Sequence, residues 1–68
     1  MRMEIRTFNR QIVGTIEVDG SGNKIVKDFY GRILGYYDSS NNATKNFYGQ
    51  IIAYGDVTGI FFRDQISF

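Results

Sequence analysis

The sequence predicts an all-β fold: an antiparallel meander of about seven or eight short strands, built from four hairpin-like repeats and closed into a small barrel or fan. Turn signals recur every eight to ten residues, and the segments between them are rich in Ile, Val, Tyr, Phe and Thr, which suit a pleated surface. No stretch keeps a 3.6-residue apolar period long enough for a helix. The alternative is an open single sheet completed by dimerisation.

The turn signals share one pattern, in which Asp or Asn opens the turn and Gly or Asn stands at its fourth position. The opening side chain accepts a backbone hydrogen bond, and the fourth residue tolerates the left-handed conformation that a type I turn followed by a bulge requires. The segments are Asp19-Gly20-Ser21-Gly22, Asp28-Phe29-Tyr30-Gly31, Asp38-Ser39-Ser40-Asn41, Asn46-Phe47-Tyr48-Gly49 and Asp56-Val57-Thr58-Gly59. The chain therefore reverses direction about every nine residues.

The strands occupy the segments between these turns. They are predicted at Met3–Thr7, Gln11–Val18, Asn23–Lys27, Arg32–Tyr37, Asn42–Lys45, Gln50–Gly55 and Ile60–Phe68, with a break allowed near Asp64. Side chains in a strand alternate between two faces. The second strand accordingly predicts a core face of Ile12, Gly14, Ile16 and Val18 and a half-exposed face of Gln11, Val13, Thr15 and Glu17.

A second repeat overlays the turns and reads Phe, two residues, Gln or Arg, then Ile. Its four copies begin at Phe8, Phe29, Phe47 and Phe62, at spacings of 21, 18 and 15 residues. Repeated units that cannot bury a face alone must stack on their neighbours. Because the predicted edge strands also lack Pro as a guard against pairing, closure of the sheet is the favoured arrangement.

The segments Asp28-Phe29-Tyr30-Gly31-Arg32-Ile33 and Asn46-Phe47-Tyr48-Gly49-Gln50-Ile51 carry a family resemblance. With them, residues 8 to 66 resemble small uncharacterised bacterial proteins built from repeated β-hairpins arranged as a fan or meander. The resemblance implies a fold and no activity. The fourth unit departs from the pattern, because Arg63-Asp64 replaces Tyr-Gly.

The two ends of the predicted meander differ in chemistry. Alternate turns fall on the same end, so the turns at Asp19, Asp38 and Asp56 form a polar end. The turns at Asp28 and Asn46, with the connection at Phe8 to Arg10, form the other end. There, Phe-Tyr pairs occupy the central turn positions, where small or polar residues are usual.

This aromatic end is the candidate interaction surface. Its residues are Phe8, Phe29, Tyr30, Phe47, Tyr48 and Phe62, with Arg32 and Gln50 as polar edges and Gln11 and Gln65 nearby. Three roles are open to the rings. They plug one end of a barrel, as large aromatics usually serve burial; they form a self-association surface; or, together with Tyr36, Tyr37 and Tyr54, they stack on a carbohydrate or on single-stranded nucleic acid.

Composition narrows the function classes. The 68 residues predict a single domain over 1–68, and the absence of His and Cys removes the usual nucleophile pairs and thiolate metal sites. We therefore predict a non-enzymatic protein without cofactor or metal. The net charge of +1 and the scattered basic residues indicate neither a nucleic-acid nor a membrane surface. We expect a cytoplasmic structural or protein-interaction module whose partner is itself or another protein, with carbohydrate or single-stranded nucleic acid as the alternative ligand.

Overall fold

A computed structural model describes residues 1–63 and contains six β-strands. They are β1 (Arg2–Arg6), β2 (Ile12–Val18), β3 (Lys24–Asp28), β4 (Ile33–Asp38), β5 (Ala43–Asn46) and β6 (Ile51–Tyr54). Every boundary of the first six predicted strands lies within one residue of these. The prediction of an all-β meander is therefore confirmed for this part of the chain.

The six strands form one open antiparallel sheet in the order β1-β2-β3-β4-β5-β6. Each strand pairs with its neighbours in the sequence, so β1 and β6 are the sheet edges. The predicted closure into a barrel is wrong, and the described residues hold six strands rather than seven or eight. Closure needs pairing between strands far apart in the sequence, whereas hairpin signals report only local pairing.

The same bulge recurs in all three hairpins that have an aromatic turn. The register passes from Gly14 to Ile12 in β2, skipping Val13. It skips Leu34 in β4 and Ile52 in β6 in the same way. The bulge corrects the strict alternation predicted for the second strand, because Val13 packs against the core instead of lying on the opposite face.

The core lies between one face of the sheet and a short 3₁₀-helix, η1 (Thr58–Phe62). Ile16, Val26 and Phe62 are buried and form its centre. The predicted seventh strand is therefore wrong at its described residues, because Ile60–Phe62 lie in η1 and Arg63 follows as its C-cap. The rest of that prediction, 64–68, falls outside the described residues. Tertiary packing of the two Phe rings of η1 overrides the apolar alternation that predicted a strand.

Two glycines on the core face hold these rings. A Cβ atom placed on Gly14 would overlap the ring of Phe62, and one on Gly35 would overlap the ring of Phe61. Each position follows a bulge residue, so the two sites are equivalent in the repeat. The absence of a side chain at these positions lets η1 approach the sheet closely.

The polar end differs in two details from the predicted turns. Asn42, rather than Asn41, takes the left-handed conformation with φ +50°, because the loop between β4 and β5 is one residue longer than a type I turn with a bulge. At Asp56 the chain does not form a hairpin. Gly55 is the left-handed residue with φ +89°, and Asp56 accepts a hydrogen bond from the Thr58 hydroxyl at 2.9 Å as η1 begins.

Candidate interaction surface

The turns at Asp28 and Asn46 have the same geometry. Asp28 Oδ1 accepts hydrogen bonds from the backbone N–H groups of Tyr30 and Arg32 at 2.8 and 2.9 Å. Asn46 Oδ1 accepts the equivalent pair from the second and fourth residues after it, at 2.9 and 3.0 Å. The fourth turn residues, Gly31 and Gly49, have φ of +84° and +82°. The predicted type I turn with a bulge is confirmed at both sites.

Arg32 is oriented by the turn that precedes it. Its Nε donates to Asp28 Oδ2 at 2.9 Å, and its guanidinium lies 5.5 Å from the centre of the Tyr30 ring. Partial desolvation raises the pKa of Asp28, but the hydrogen bonds from Arg32 and Tyr30 outweigh it, so the net pKa is below its ordinary value. The carboxylate therefore stays charged at neutral pH and fixes the cation beside the ring.

The first turn follows the same path with different residues. The N–H of Thr7 donates to the Gln11 carbonyl at 2.9 Å and the N–H of Arg10 donates to the Thr7 carbonyl at 2.8 Å, as in the other two turns. Arg10 occupies the left-handed position with φ +67°, which is unfavourable for a side chain with a Cβ. The Thr7 hydroxyl is buried without a hydrogen-bond partner, although it stands where Asp28 and Asn46 accept two.

The rings of these turns project into solvent. The exposed fractions are Phe8 91%, Phe29 64%, Tyr30 78%, Phe47 56% and Tyr48 81%. Of the three roles left open for the rings, the plug of a barrel is therefore wrong for these five residues. Phe62, which was predicted to join them, is 1% exposed and belongs to the core. Gln65 lies outside the described residues.

The five exposed rings form a row, which we call the aromatic row. Phe29 and Tyr30 pack edge to face at 5.4 Å between ring centres, and Phe47 and Tyr48 do so at 4.9 Å. Successive turns at one end of a meander are two strands apart, or about 10 Å. The aromatic row therefore extends about 20 Å from Phe8 to Phe47 along the end of the sheet.

Two equivalent apolar grooves lie along this row. Phe29 and the segment Gln11–Val13 of the preceding hairpin line a groove of about 390 Å³. Phe47, with Asp28 and the segment Arg32–Leu34, lines one of about 630 Å³. In each groove, the Phe of one turn faces the polar residue, the Ile and the bulge residue of the hairpin before it. Extending the sequence repeat by one aliphatic residue and one Gly or Ala would have revealed this arrangement.

Hydrogen bonds distribute differently at the two ends. At the aromatic end, the side-chain bonds stay within one turn, as at Asp28 and Asn46. At the polar end they join separate turns. The Ser39 hydroxyl donates to the Ser21 carbonyl at 2.8 Å, and Lys24 forms an ion pair with Asp56. Hydrogen bonds and an ion pair therefore connect the segments of the polar end, whereas the rings of the aromatic end lie on turns that no side-chain hydrogen bond of the described residues connects.

The fold is a single-sheet antiparallel meander with a row of exposed aromatic side chains at one end. Comparisons with protein-family models, curated proteins and solved structures give no significant match. Within residues 1–63, no helix has the length and apolar character needed to cross a membrane. In that same range, no cluster of three or more acidic side chains is arranged to hold a metal ion.

Proposed function

We propose that this protein is a non-enzymatic interaction module that acts as a homo-oligomer through its aromatic row and the adjoining sheet edge. The supporting observation is the exposure of five aromatic rings, 56% to 91%, on turns that do not need them. Aromatic residues with few charges among them are the composition of interface centres.

The size of the aromatic row also fits an interface. A Phe or Tyr side chain buries about 150–250 Å² when fully covered, so five rings at these exposures offer roughly 700 Å². A standard interface buries about 800 Å² on each partner. The aromatic row therefore supplies most of the area that one stable contact requires.

Sedimentation of the protein at micromolar concentration tests this proposal. We expect an oligomer that the double substitution Phe29→Ser with Phe47→Ser weakens by at least about tenfold, as for central interface aromatics. Val57→Ser is the matched control, because Val57 is an exposed apolar residue away from the row, at 38%. A wild-type protein that stays monomeric at tens of micromolar would contradict the proposal.

A second function is favoured by the two grooves. Each has an aromatic wall and a Gln or Arg at its rim, which is the chemistry that stacks on a sugar or a base and hydrogen-bonds its edge. Under this alternative, a monomer binds an oligosaccharide or single-stranded oligonucleotide. Tyr30→Ser with Tyr48→Ser removes the exposed rings that pack on the groove walls Phe29 and Phe47, and would then weaken binding without changing the free energy of unfolding. Nucleic-acid binding would in addition weaken steeply with salt.

A further inference from the structure

The repeat contains a third copy of the groove-lining residues, and no phenylalanine of the described chain covers it. Gln50, Ile51 and the bulge residue Ile52 are equivalent to the residues that Phe29 and Phe47 face in the first two grooves. The aliphatic residues of those two grooves, Ile12, Val13, Ile33 and Leu34, are half-buried. Ile51 and Ile52 are 47% and 45% exposed. Within residues 1–63, no following hairpin supplies a phenylalanine to this third set of groove residues.

The opposite edge of the sheet carries the complementary group. Phe8 stands where Phe29 and Phe47 stand in their turns, and it is the most exposed large apolar side chain of the described residues, at 91%. Among the described residues it has no neighbouring hairpin to cover, because β1 lies at the edge of the sheet. One edge has a groove without a phenylalanine, and the other has a phenylalanine without a groove.

We propose that β1 of a second copy pairs antiparallel with β6, and that Phe8 of this second copy covers Ile51 and Ile52. This inference rests on the proposed self-association and specifies its sheet-edge part, to which the aromatic row contributes Phe8. Phe29 and Phe47 stay outside this contact, because they face grooves of their own copy. Strands alternate in direction along a meander, so a strand following β6 has the direction of β1. The two edges can therefore continue one sheet from copy to copy, with the backbone groups of each edge satisfied by the other.

The intramolecular pairs give the register of the contact. Lys27 pairs with Thr15 and Lys45 pairs with Tyr36, and in each case the Lys directly precedes the residue that opens an aromatic turn. Arg6 is the equivalent basic residue of the first turn, and Tyr54 is the equivalent position of β6. The expected pair is therefore Arg6 of one copy with Tyr54 of the next, with the cation near the face of the ring.

The contact is head-to-tail and does not close on itself. Continuing the sheet advances each copy by six strand spacings, about 29 Å, and rotates it by roughly 120–150° about the same direction. A rotation combined with a translation generates an open helical assembly rather than a ring. The oligomer is therefore expected to grow in length with protein concentration, without a fixed subunit number.

Disulfide cross-linking tests the register, since the chain has no Cys of its own. Residues opposite each other in an antiparallel pair have Cα atoms about 4.5–5.5 Å apart, within the disulfide range. We expect Arg6→Cys mixed with Tyr54→Cys to give a covalent heterodimer, and the double variant to give a ladder of oligomers. Both residues are exposed, so the fold tolerates the changes. Arg2→Cys mixed with Tyr54→Cys is the off-register control.

The outcomes separate this inference from the proposed function. If the wild type is an oligomer but Tyr54→Cys cross-links only to another copy of itself, the head-to-tail register is overturned and self-association still stands. A wild-type monomer would overturn both. If the inference holds, Phe8→Ser weakens association at least about tenfold and Phe8→Tyr restores it, as expected for an aromatic anchor in a pocket.

Discussion

The two ends of this sheet differ in how their side chains form hydrogen bonds. At the polar end, side chains connect turns 16 to 32 residues apart, as Ser39 does with Asn23 and Lys24 with Asp56. At the aromatic end, each turn satisfies its own backbone, and its rings face solvent. The difference predicts that the contacts between turns at the polar end contribute more to stability than the contacts of the aromatic end, where apolar surface is exposed. Substitutions at the two ends test this division.

The largest effect is expected at Thr44, beside the polar end. Its buried hydroxyl donates to the Gly55 carbonyl at 2.6 Å and accepts from the Val57 N–H at 3.1 Å. Thr44→Val leaves both backbone groups without this partner and should lower the free energy of unfolding by about 2 kcal/mol. Urea denaturation measures the change. Thr15→Val, at a partly exposed position, is the control, and equal losses for both variants would contradict the prediction.

The next effect concerns the first aromatic turn. Arg10→Gly relieves the left-handed conformation at φ +67° and should raise the free energy of unfolding by about 1 kcal/mol. Gly31→Arg, at the equivalent position of the second turn, should lower it by a similar amount. Thermal unfolding of the two variants checks both signs. Destabilisation by Arg10→Gly would show that the Arg10 side chain contributes more than its backbone strain costs.

A smaller effect is expected at Ser39. Ser39→Ala removes the hydroxyl that bridges the Ser21 carbonyl and Asn23 Oδ1, at 2.8 and 3.0 Å. One of these hydrogen bonds is exposed and the other is half-buried, so their loss should lower the free energy of unfolding by about 0.5 kcal/mol. Ser21→Ala changes an exposed hydroxyl of the same end and is the control. If Ser39→Ala and Ser21→Ala change the free energy of unfolding equally, the hydrogen bonds between the turns do not contribute to stability.

The smallest effect is the dependence of stability on acid. The hydrogen bond from the Ser40 hydroxyl, with those from Asn41 and Lys45, holds the pKa of Asp38 well below its usual value. A carboxyl whose pKa is lower in the folded state stabilises the fold above its unfolded pKa of about 3.9 and loses this as the pH falls through the folded pKa. Melting temperature should therefore be level from pH 7 to about 5 and decline below about 4.

Asp38→Asn provides the test of that assignment. The amide keeps the oxygen acceptor and removes the ionisation, so the decline below about pH 4 should become shallower than in the wild type. An unchanged acid profile in this variant would place the acid dependence elsewhere. The same measurement on Asp28→Asn reports on the aromatic end, since Asn46 already opens the third turn with an amide.

The local part of the fold follows from the sequence. The signals at Asp28 and Asn46 place the strand boundaries within one residue, because a side-chain acceptor and a left-handed fourth residue act over only a few positions. Their assignment to one end of the sheet follows from the alternation of hairpins. The sequence therefore predicts that five aromatic residues of the candidate surface lie at one end of the sheet. Their exposure to solvent follows only from the structure.

The contacts between residues far apart in the sequence cannot be predicted from local sequence signals. Whether β1 meets β6 depends on sheet twist and on what covers the core face, and neither has a local signal. The alternating Ile60 and Phe62 read as a strand because the glycines that seat the η1 rings lie more than 20 residues away in the sequence. The groove between Phe47 and Leu34 was missed because it joins consecutive repeats rather than residues of one repeat.

The seating of Phe61 and Phe62 on Gly35 and Gly14 also bears on how the protein is made. Both rings follow all six strands in the sequence, so the ribosome releases the whole sheet before the residues that cover it. Hairpins can form one by one during synthesis because their contacts are local. The core face of the sheet remains exposed to solvent until η1 emerges. Cooperative folding is therefore expected only after η1 has emerged, because its rings complete the core.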